Sequence, residues 1–599
     1  MKISQNLPGR LVLAMALVAL ALPVRSQDFP ALYNNLKERI KNDPIRINGG
    51  ISANVDFLSS SDSLRSQTPF NYRLSANLNI DLLGIRVPLS ANISNAKVVY
   101  NYQLPAYSFV GLSPTYKWAT LHVGDRSLNL SPYSLSGQSF FGVGTELQPG
   151  KLRLTALYGR LRKPIQEQIT TDGTQGPEPS FQRMGWGLKA GWDGGPQGSY
   201  EIVLFHAKDD PFSIDSLTQS PTLKPMENLV VGFNTKRQLG RSFSLSVEYA
   251  LSALTSDLLA TGDEGLNGRR LFNFGGLLNT NLTTNFYNAL KTSVGLQVSP
   301  TTTVQVNYER IDPGYRSLGA LFFNDNMENY TASTNTNLLE RRLTLSANLG
   351  VQRNNLDGTQ VNSGIRFVGS LNASYRATDR LNLSAVYSNF RNTSIRDVSI
   401  ESLQNSSTAL VDTRLTSFIT QVSQNANLSA TYAAGAERKS NFSLLLSFQN
   451  ANNIENQQVM LDQQTTYYTS ALSYSYLLTG IDLTVSSSVM VNYGLIPQAD
   501  ILSLTPTLAL TKSFMEKTLQ ANASFSLASA YTGDLLANRI FSGQAGLRFS
   551  KFKNHPLSFN LRFVQRAAIA DNPAARALTE FSGVLTYNYR FTPQLKRGE

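Results

Sequence analysis

The sequence predicts an all-β fold, a large closed antiparallel up-and-down barrel of about 24 to 26 strands that crosses a membrane and is preceded by one short helix. Three observations over its 599 residues predict it. From about Ile45 onward apolar residues recur with a period of two, the connections alternate between tight and generous, and one parity of the strands is free of charge.

Ahead of the barrel, Lys2 and Arg10 precede an unbroken apolar run from Leu11 to Leu22, followed by Val24, Arg25 and Ser26. This is the layout of a secretory signal peptide with an apolar core too short to span a bilayer, so residues 1–26 are expected to be cleaved near Ser26. Residues 27–44 place Phe29, Leu32, Tyr33, Leu36 and Ile40 at helical spacing. They predict a short periplasmic amphipathic helix whose apolar face docks a periplasmic or outer-membrane protein partner.

The strands follow. Tyr72, Leu74, Ala76, Leu78 and Ile80 alternate with Arg73, Ser75, Asn77 and Asn79, and the same alternation runs through 343–351, 519–527, 541–549 and 581–591. A pleated strand sends successive side chains to opposite sides, so each ribbon has one greasy and one polar face. The greasy parity of these strands holds no Lys, Arg, Asp or Glu, whereas the other parity admits Arg73, Arg366, Arg548, Arg562, Arg590, Glu248, Glu309 and Asp482. A basic side chain facing hydrocarbon costs about 2–4 kcal/mol near the midplane, and lumen positions tolerate it. The greasy side is therefore expected to face lipid; in a soluble sandwich the same stripe would face inward. Tyrosines at both stripe ends, such as Tyr249, Tyr308 and Tyr493 at one and Tyr375, Tyr432 and Tyr476 at the other, predict two interfacial girdles.

Tight connections fall at Leu83-Gly84, Gln148–Lys151, Gly194–Gly198 and onward to Phe552–Pro556, separated by long stretches such as 162–181, 208–224, 254–285, 311–328 and 391–417. Hairpins counted on the tight turns, with a first and a last strand, give about 24 strands. A further pair within KWATLHVGDRSLNL, turning around Asp125-Arg126, raises the total to about 26. Either number is even, which puts both ends of the barrel on the short-turn, normally periplasmic, side.

The closing segment FSGVLTYNYRF is similar, at Gly583, Tyr587, Tyr589 and Phe591, to the C-terminal strand signal that barrel assembly machinery reads. By architecture residues 45–591 resemble bacterial outer-membrane β-barrels; residues 592–599 depart from that family as a periplasmic tail past the final aromatic. The resemblance implies a Gram-negative outer membrane, contact with membrane lipid and lipopolysaccharide, and assembly by that machinery.

With no cysteine, disulfides and thiolate chemistry are excluded. Lys2, Arg10 and Arg25 account for three of the +12 formal charges, and the rest are spread without dense basic runs, so nucleic acid is not an expected partner. Only His122, His206 and His555 are present, no nucleotide or metal signature occurs, and neither enzymatic activity nor a cofactor is expected. The acids Asp209, Asp210 and Asp215, and Asp257, Asp263 and Glu264, lack the spacing of a calcium loop and read as solvated surface groups.

A barrel this wide must hold a channel or a plug. The segments 98–116 and 131–138 are aromatic and proline-bearing; folded inward they narrow the pore, left outside they form a recognition surface. Basic residues on the luminal parity, Arg73, Arg86, Arg153, Arg366, Arg548, Arg562 and Arg590, form a field favouring anions unless Asp81, Glu248, Glu309 and Asp482 neutralise them. The expected function is passive passage of polar or anionic solutes through a Ser/Asn/Arg-lined lumen. The alternatives are a barrel component of a transport or assembly machine for protein, lipid or polysaccharide, and, third, an outer-membrane enzyme.

Overall fold

A computed structural model of the chain describes residues 46–61, 70–82, 85–95, 109–167, 179–195, 198–215, 223–260, 274–320, 324–358, 365–395, 418–435, 437, 439–455, 458–459, 464–497, 499–552, 554–569 and 577–591. The signal peptide, the helix bearing Phe29, Leu32, Tyr33, Leu36 and Ile40, and the tail 592–599 lie outside the described residues.

Twenty-six antiparallel strands form one closed wall. It opens with Arg46–Ser60 and ends with Leu578–Phe591, and these two pair with each other from Gly49↔Phe591 to Ser60↔Glu580. No strand edge is left over, so the backbone groups of the wall are satisfied within it, as hydrocarbon requires. Elsewhere each wall strand pairs with its neighbours in sequence, the up-and-down winding that the alternating turns predict.

One part of the wall departs from the sequence reading. Residues 109–116 are a wall strand and not a loop, in two pieces, Phe109–Leu112 and Thr115–Tyr116, parted at Ser113-Pro114 where proline withdraws its ladder donor. The strand turns at Lys117-Trp118, with Lys117 left-handed at φ 52°, into Ala119–Ser127. Asp125 and Arg126 therefore lie within a strand, and the extra hairpin that makes the total 26 is displaced toward the N-terminus.

The tight turns and both ends of the wall share one rim. Two of these turns use the same device: Leu339, Glu340 and Arg341, and likewise Met515, Glu516 and Lys517, are consecutive left-handed residues at φ between 50° and 67°. The sequences LERR and MEKT around them show the shared chemistry of a charged, solvated bend.

The greasy faces point away from the axis. Ile202, Val306, Leu472 and Phe525 stand 56%, 61%, 58% and 49% exposed, while their strand neighbours on the other parity line the lumen. Outward charges sit at the rims, where Arg160 lies over the Phe141 ring and Lys512 over Phe514. Outward aromatics pair across strands near both rims, Tyr308 with Tyr330 at 5.1 Å and Phe442 with Tyr474 at 4.8 Å between ring centroids, as two interfacial girdles demand. At the closing strand, Gly583 faces the Phe57 ring, Tyr587 bonds His555 Nδ1 through its hydroxyl (2.8 Å), Tyr589 packs on the same imidazole at 4.7 Å, and Phe591 stands opposite Gly49.

Ala545 faces lipid and Gln544 the lumen within one strand, Leu535–Phe549. Ala545→Arg is expected to cost about 2–4 kcal/mol in equilibrium urea unfolding of the lipid-reconstituted barrel, and Gln544→Arg less than about 1 kcal/mol. Equal costs would contradict the assignment of faces.

Candidate luminal site

The inner face of the wall is not uniform. On most strands it carries small polar residues that bond across the ladder, as in Ser52 with Ser75 (2.5 Å), Ser384 with Ser429 (2.6 Å), Thr469 donating to Asn492 (2.6 Å) and Thr586 to Asn54 (2.8 Å). Between Phe140 and Ile311 the inner face carries an apolar patch instead: Phe140, Leu157, Leu161, Val203, Phe205, Ala207, Val230, Ala250, Leu254 and Ala289 are all buried there. Something covers them.

The cover is a saddle of two segments that fold into the lumen. Residues 128–138 bring Leu128, Leu130, Tyr133 and Leu135, and residues 312–320 bring Tyr315 and Leu318. The two segments pair in parallel, Leu135 with Gly319 and Ser136 with Ala320. Residues 131–138 thus fold inward, while their companion 109–116 belongs to the wall.

Close backbone approach sets the fit: a β-carbon at wall residue Gly187 would lie 2.4 Å from Leu130 Cδ1, and one at saddle residue Gly319 2.4 Å from Phe205 Cζ. Hydrogen bonds complete it. Asn228, wholly buried on the inner wall, accepts from Leu318 N (3.2 Å) and donates to Ser252 Oγ (2.8 Å), which donates to the Arg316 carbonyl (2.7 Å). Ser317 Oγ bonds the Ser134 carbonyl, and Tyr315 donates to the carbonyl of Tyr133 (2.7 Å).

Tyr133 donates its own hydroxyl to Glu309 Oε1 (2.7 Å), and Asn329 donates to Glu309 Oε2 (3.1 Å). Burial first and the Glu309 charge second hold the Tyr133 phenol far above its ordinary range, so it stays a neutral donor across physiological pH. Beside this contact the inner wall hollows into a cavity of about 600 Å³ lined by Lys291, Asn307, Glu309, Asn329, Asn348 and Gln352 among others. Its lining is mostly amide and hydroxyl, chemistry suited to hydrated solutes.

Of the seven basic residues singled out from the sequence, Arg86 is paired with Asp81 (3.4 Å) and Arg153 with Asp193 (3.2 Å). Arg73, Arg548, Arg562 and Arg590 stand on the luminal parity with no carboxylate within 4.0 Å among the described residues. Arg366 is placed by register opposite Gln352.

The reading of Asp209 as a solvated surface acid is overturned. It is fully buried on the inner wall and accepts from Arg183 Nε (2.7 Å) and Nη2 (2.9 Å), from Arg162 Nη2 (3.3 Å) and from the Met226 amide (3.2 Å). Asp257 meets Lys224 at 3.8 Å, while Asp263 and Glu264 lie outside the described residues.

His122 also acquires partners. On the inner face its Nδ1 lies 2.8 Å from Ser113 Oγ and its Nε2 3.6 Å from Glu146, a serine–histidine–glutamate set. The Ser113 amide, which would serve a developing oxyanion, is committed to the Pro88 carbonyl (3.0 Å) within the ladder. The set reads as a polar tie across the broken strand. His206 faces outward, stacked on Trp186 and bonded to Glu227 (2.9 Å).

The saddle was hidden from periodicity, yet a signal was present. LTALYGRL, EIVLFHA and NLVVGF are apolar on both parities, the mark of strands covered on both faces.

The closed ladder, the outward apolar band and the rim aromatics define a transmembrane β-barrel of the bacterial outer-membrane type. No family model and no curated protein matches the chain. Among solved structures it is similar to the copper transporter OprC (TM-score 0.39, 10% identity, covering 91% of this chain and 80% of that one). It is likewise similar to the translocation pore of the P pilus usher PapC (TM-score 0.37, 11% identity, 92% and 100%) and to the FrpB iron transporter of Neisseria meningitidis (0.36, 11%, 93% and 84%). The assignment rests on the chain's own ladder and faces, not on these likenesses.

Leu318 is the keystone of the saddle, 2% exposed between both walls of the apolar cluster. Leu318→Ala is expected to weaken docking by about 2–5 kcal/mol and Leu318→Asp to release it. Trypsin should then cleave at Arg316 in Leu318→Asp and spare the wild type, while the barrel keeps its heat-modifiable migration on gels. Equal cleavage would show that the saddle is not held by this packing.

Proposed function

We propose that the protein is a conduit of the Gram-negative outer membrane, exported with loss of residues 1–26, that passes polar or anionic solutes without performing chemistry on them. The single observation that carries this reading is the division of the lumen. The saddle packs against the strands between Phe140 and Met327, and the strands beyond, to Phe591, keep an inner face mainly of Ser, Thr, Asn and Gln, with Arg548, Arg562, Arg590 and the small cluster of Ala528, Ile540 and Val564, outside its apolar footprint. A wide closed barrel with cover on one flank leaves a hydrated path along the other. The saddle then sets the aperture, and the amide-lined cavity beside Tyr133 and Glu309 is where a solute meets it.

Planar-bilayer recording of the purified barrel is the test. Stable open channels are expected, with larger unit conductance in Leu318→Asp than in the wild type. Absence of current in both, together with stoichiometric co-purification of another protein from membranes, would instead favour a machine component docked through Phe29–Ile40. Deleting 98–116 is not a useful probe, because residues 109–116 are part of the wall.

A further inference from the structure

The charge distribution above the saddle points to a site that the seven arginines read from the sequence do not include. Arg162, Arg183 and Arg316 converge at the long-loop end of the inner wall around one enclosed carboxylate, Asp209. Arg183 is spent on Asp209 through two of its nitrogens, and Arg162 divides between Asp209 and the Phe181 carbonyl (3.1 Å).

Arg316 differs. Its carbonyl is pinned to the wall by Ser252, but among the described residues its guanidinium finds no hydrogen-bond partner beyond the Met226 sulfur, at 3.9 Å, and the side chain remains exposed. The charges that act on it include Arg162, Arg183, Asp209 and Asp325. Asp325 itself accepts from the Gly314 amide (2.7 Å) and so shapes the loop that carries Arg316. Three guanidiniums thus face two carboxylates, one of which is wholly enclosed, and the surplus positive charge is presented through Arg316.

We propose that Arg316, which meets the Arg162–Asp209–Arg183 triad through Met226, whose amide binds Asp209, is an anion-binding site of the lumen for small carboxylate- or phosphate-bearing solutes. Guanidinium suits such ligands because its planar fork matches two oxygens at once and stays charged at every relevant pH. The underlying Arg162–Asp209–Arg183 triad is itself net positive, and its bonded donors are engaged by Asp209 and the Phe181 carbonyl. The location on the luminal saddle makes the ligand a dissolved solute, not a lipid head group. This inference rests on the conduit reading for its role in selectivity, but not for binding itself.

Two measurements on the full-length detergent-purified barrel separate these. Inorganic phosphate titrated calorimetrically into the wild type should bind at millimolar strength; Arg316→Gln should weaken binding at least about five-fold and Arg316→Lys should retain part of it. Arg380→Gln, an exposed arginine of a tight turn at the opposite rim, should bind like the wild type. In bilayers under a potassium chloride gradient, Arg316→Gln should lower the chloride-to-potassium permeability ratio by at least about two-fold. Phosphate binding that is absent, or unchanged in Arg316→Gln, overturns the site. Binding that depends on Arg316 in a barrel with no current keeps the site and overturns the conduit.

Discussion

A continuous hydrogen-bonded ladder without an end is the constraint on which the rest of this protein depends. In hydrocarbon an unpaired amide or carbonyl costs several kcal/mol, so a spanning sheet must return to its own first strand. The register from Gly49↔Phe591 to Ser60↔Glu580 meets that demand directly. Everything else is arranged on it: grease outward because lipid is there, hydroxyls and amides inward because water is there, and charge outward only where a rim lets it reach the interface, as at Arg160 and Lys512.

Within the closed wall, two kinds of inner face divide the labour. The polar flank is held by short cross-strand side-chain bonds and is compatible with water. The apolar flank is compatible with water only when covered, which is why the saddle must be present and why it is joined to the wall both by packing at Leu318 and Phe205 and by Asn228 and Ser252. Buried polar groups such as these are costly if left unmade, so they fix where the saddle sits and not merely that it sits.

The architecture was legible in the sequence because the properties that define it are local. Alternation at Tyr72–Ile80, tight turns from Gln148 onward and the run FSGVLTYNYRF are each visible within a dozen residues or so. Proline at 114 hid one strand by interrupting its ladder, and the hairpin was accordingly misplaced. The luminal site was less legible. Residues 131–138 stood out as aromatic, but their partner 312–320 was one long loop among several, and only the fold brings Leu135 beside Gly319. Asp209 looked like a solvated surface acid and nothing singled out Arg183; their enclosure depends on what covers the end of the wall, which no window of sequence contains. Parity placed Arg86 and Arg153 on the inner face correctly but says nothing of the neighbouring strand's acids, and Asp81 and Asp193 neutralise them.

The saddle's two limbs come from segments about a third of the chain apart, and each is seated against strands that lie between or beside them. Once the first and last strands have zipped, these limbs are enclosed by a completed ring. Joined to each other at Leu135–Gly319 and seated on the inner face, they tie strands far apart in sequence to one another across the ring, so the saddle braces the wall from within as well as narrowing it.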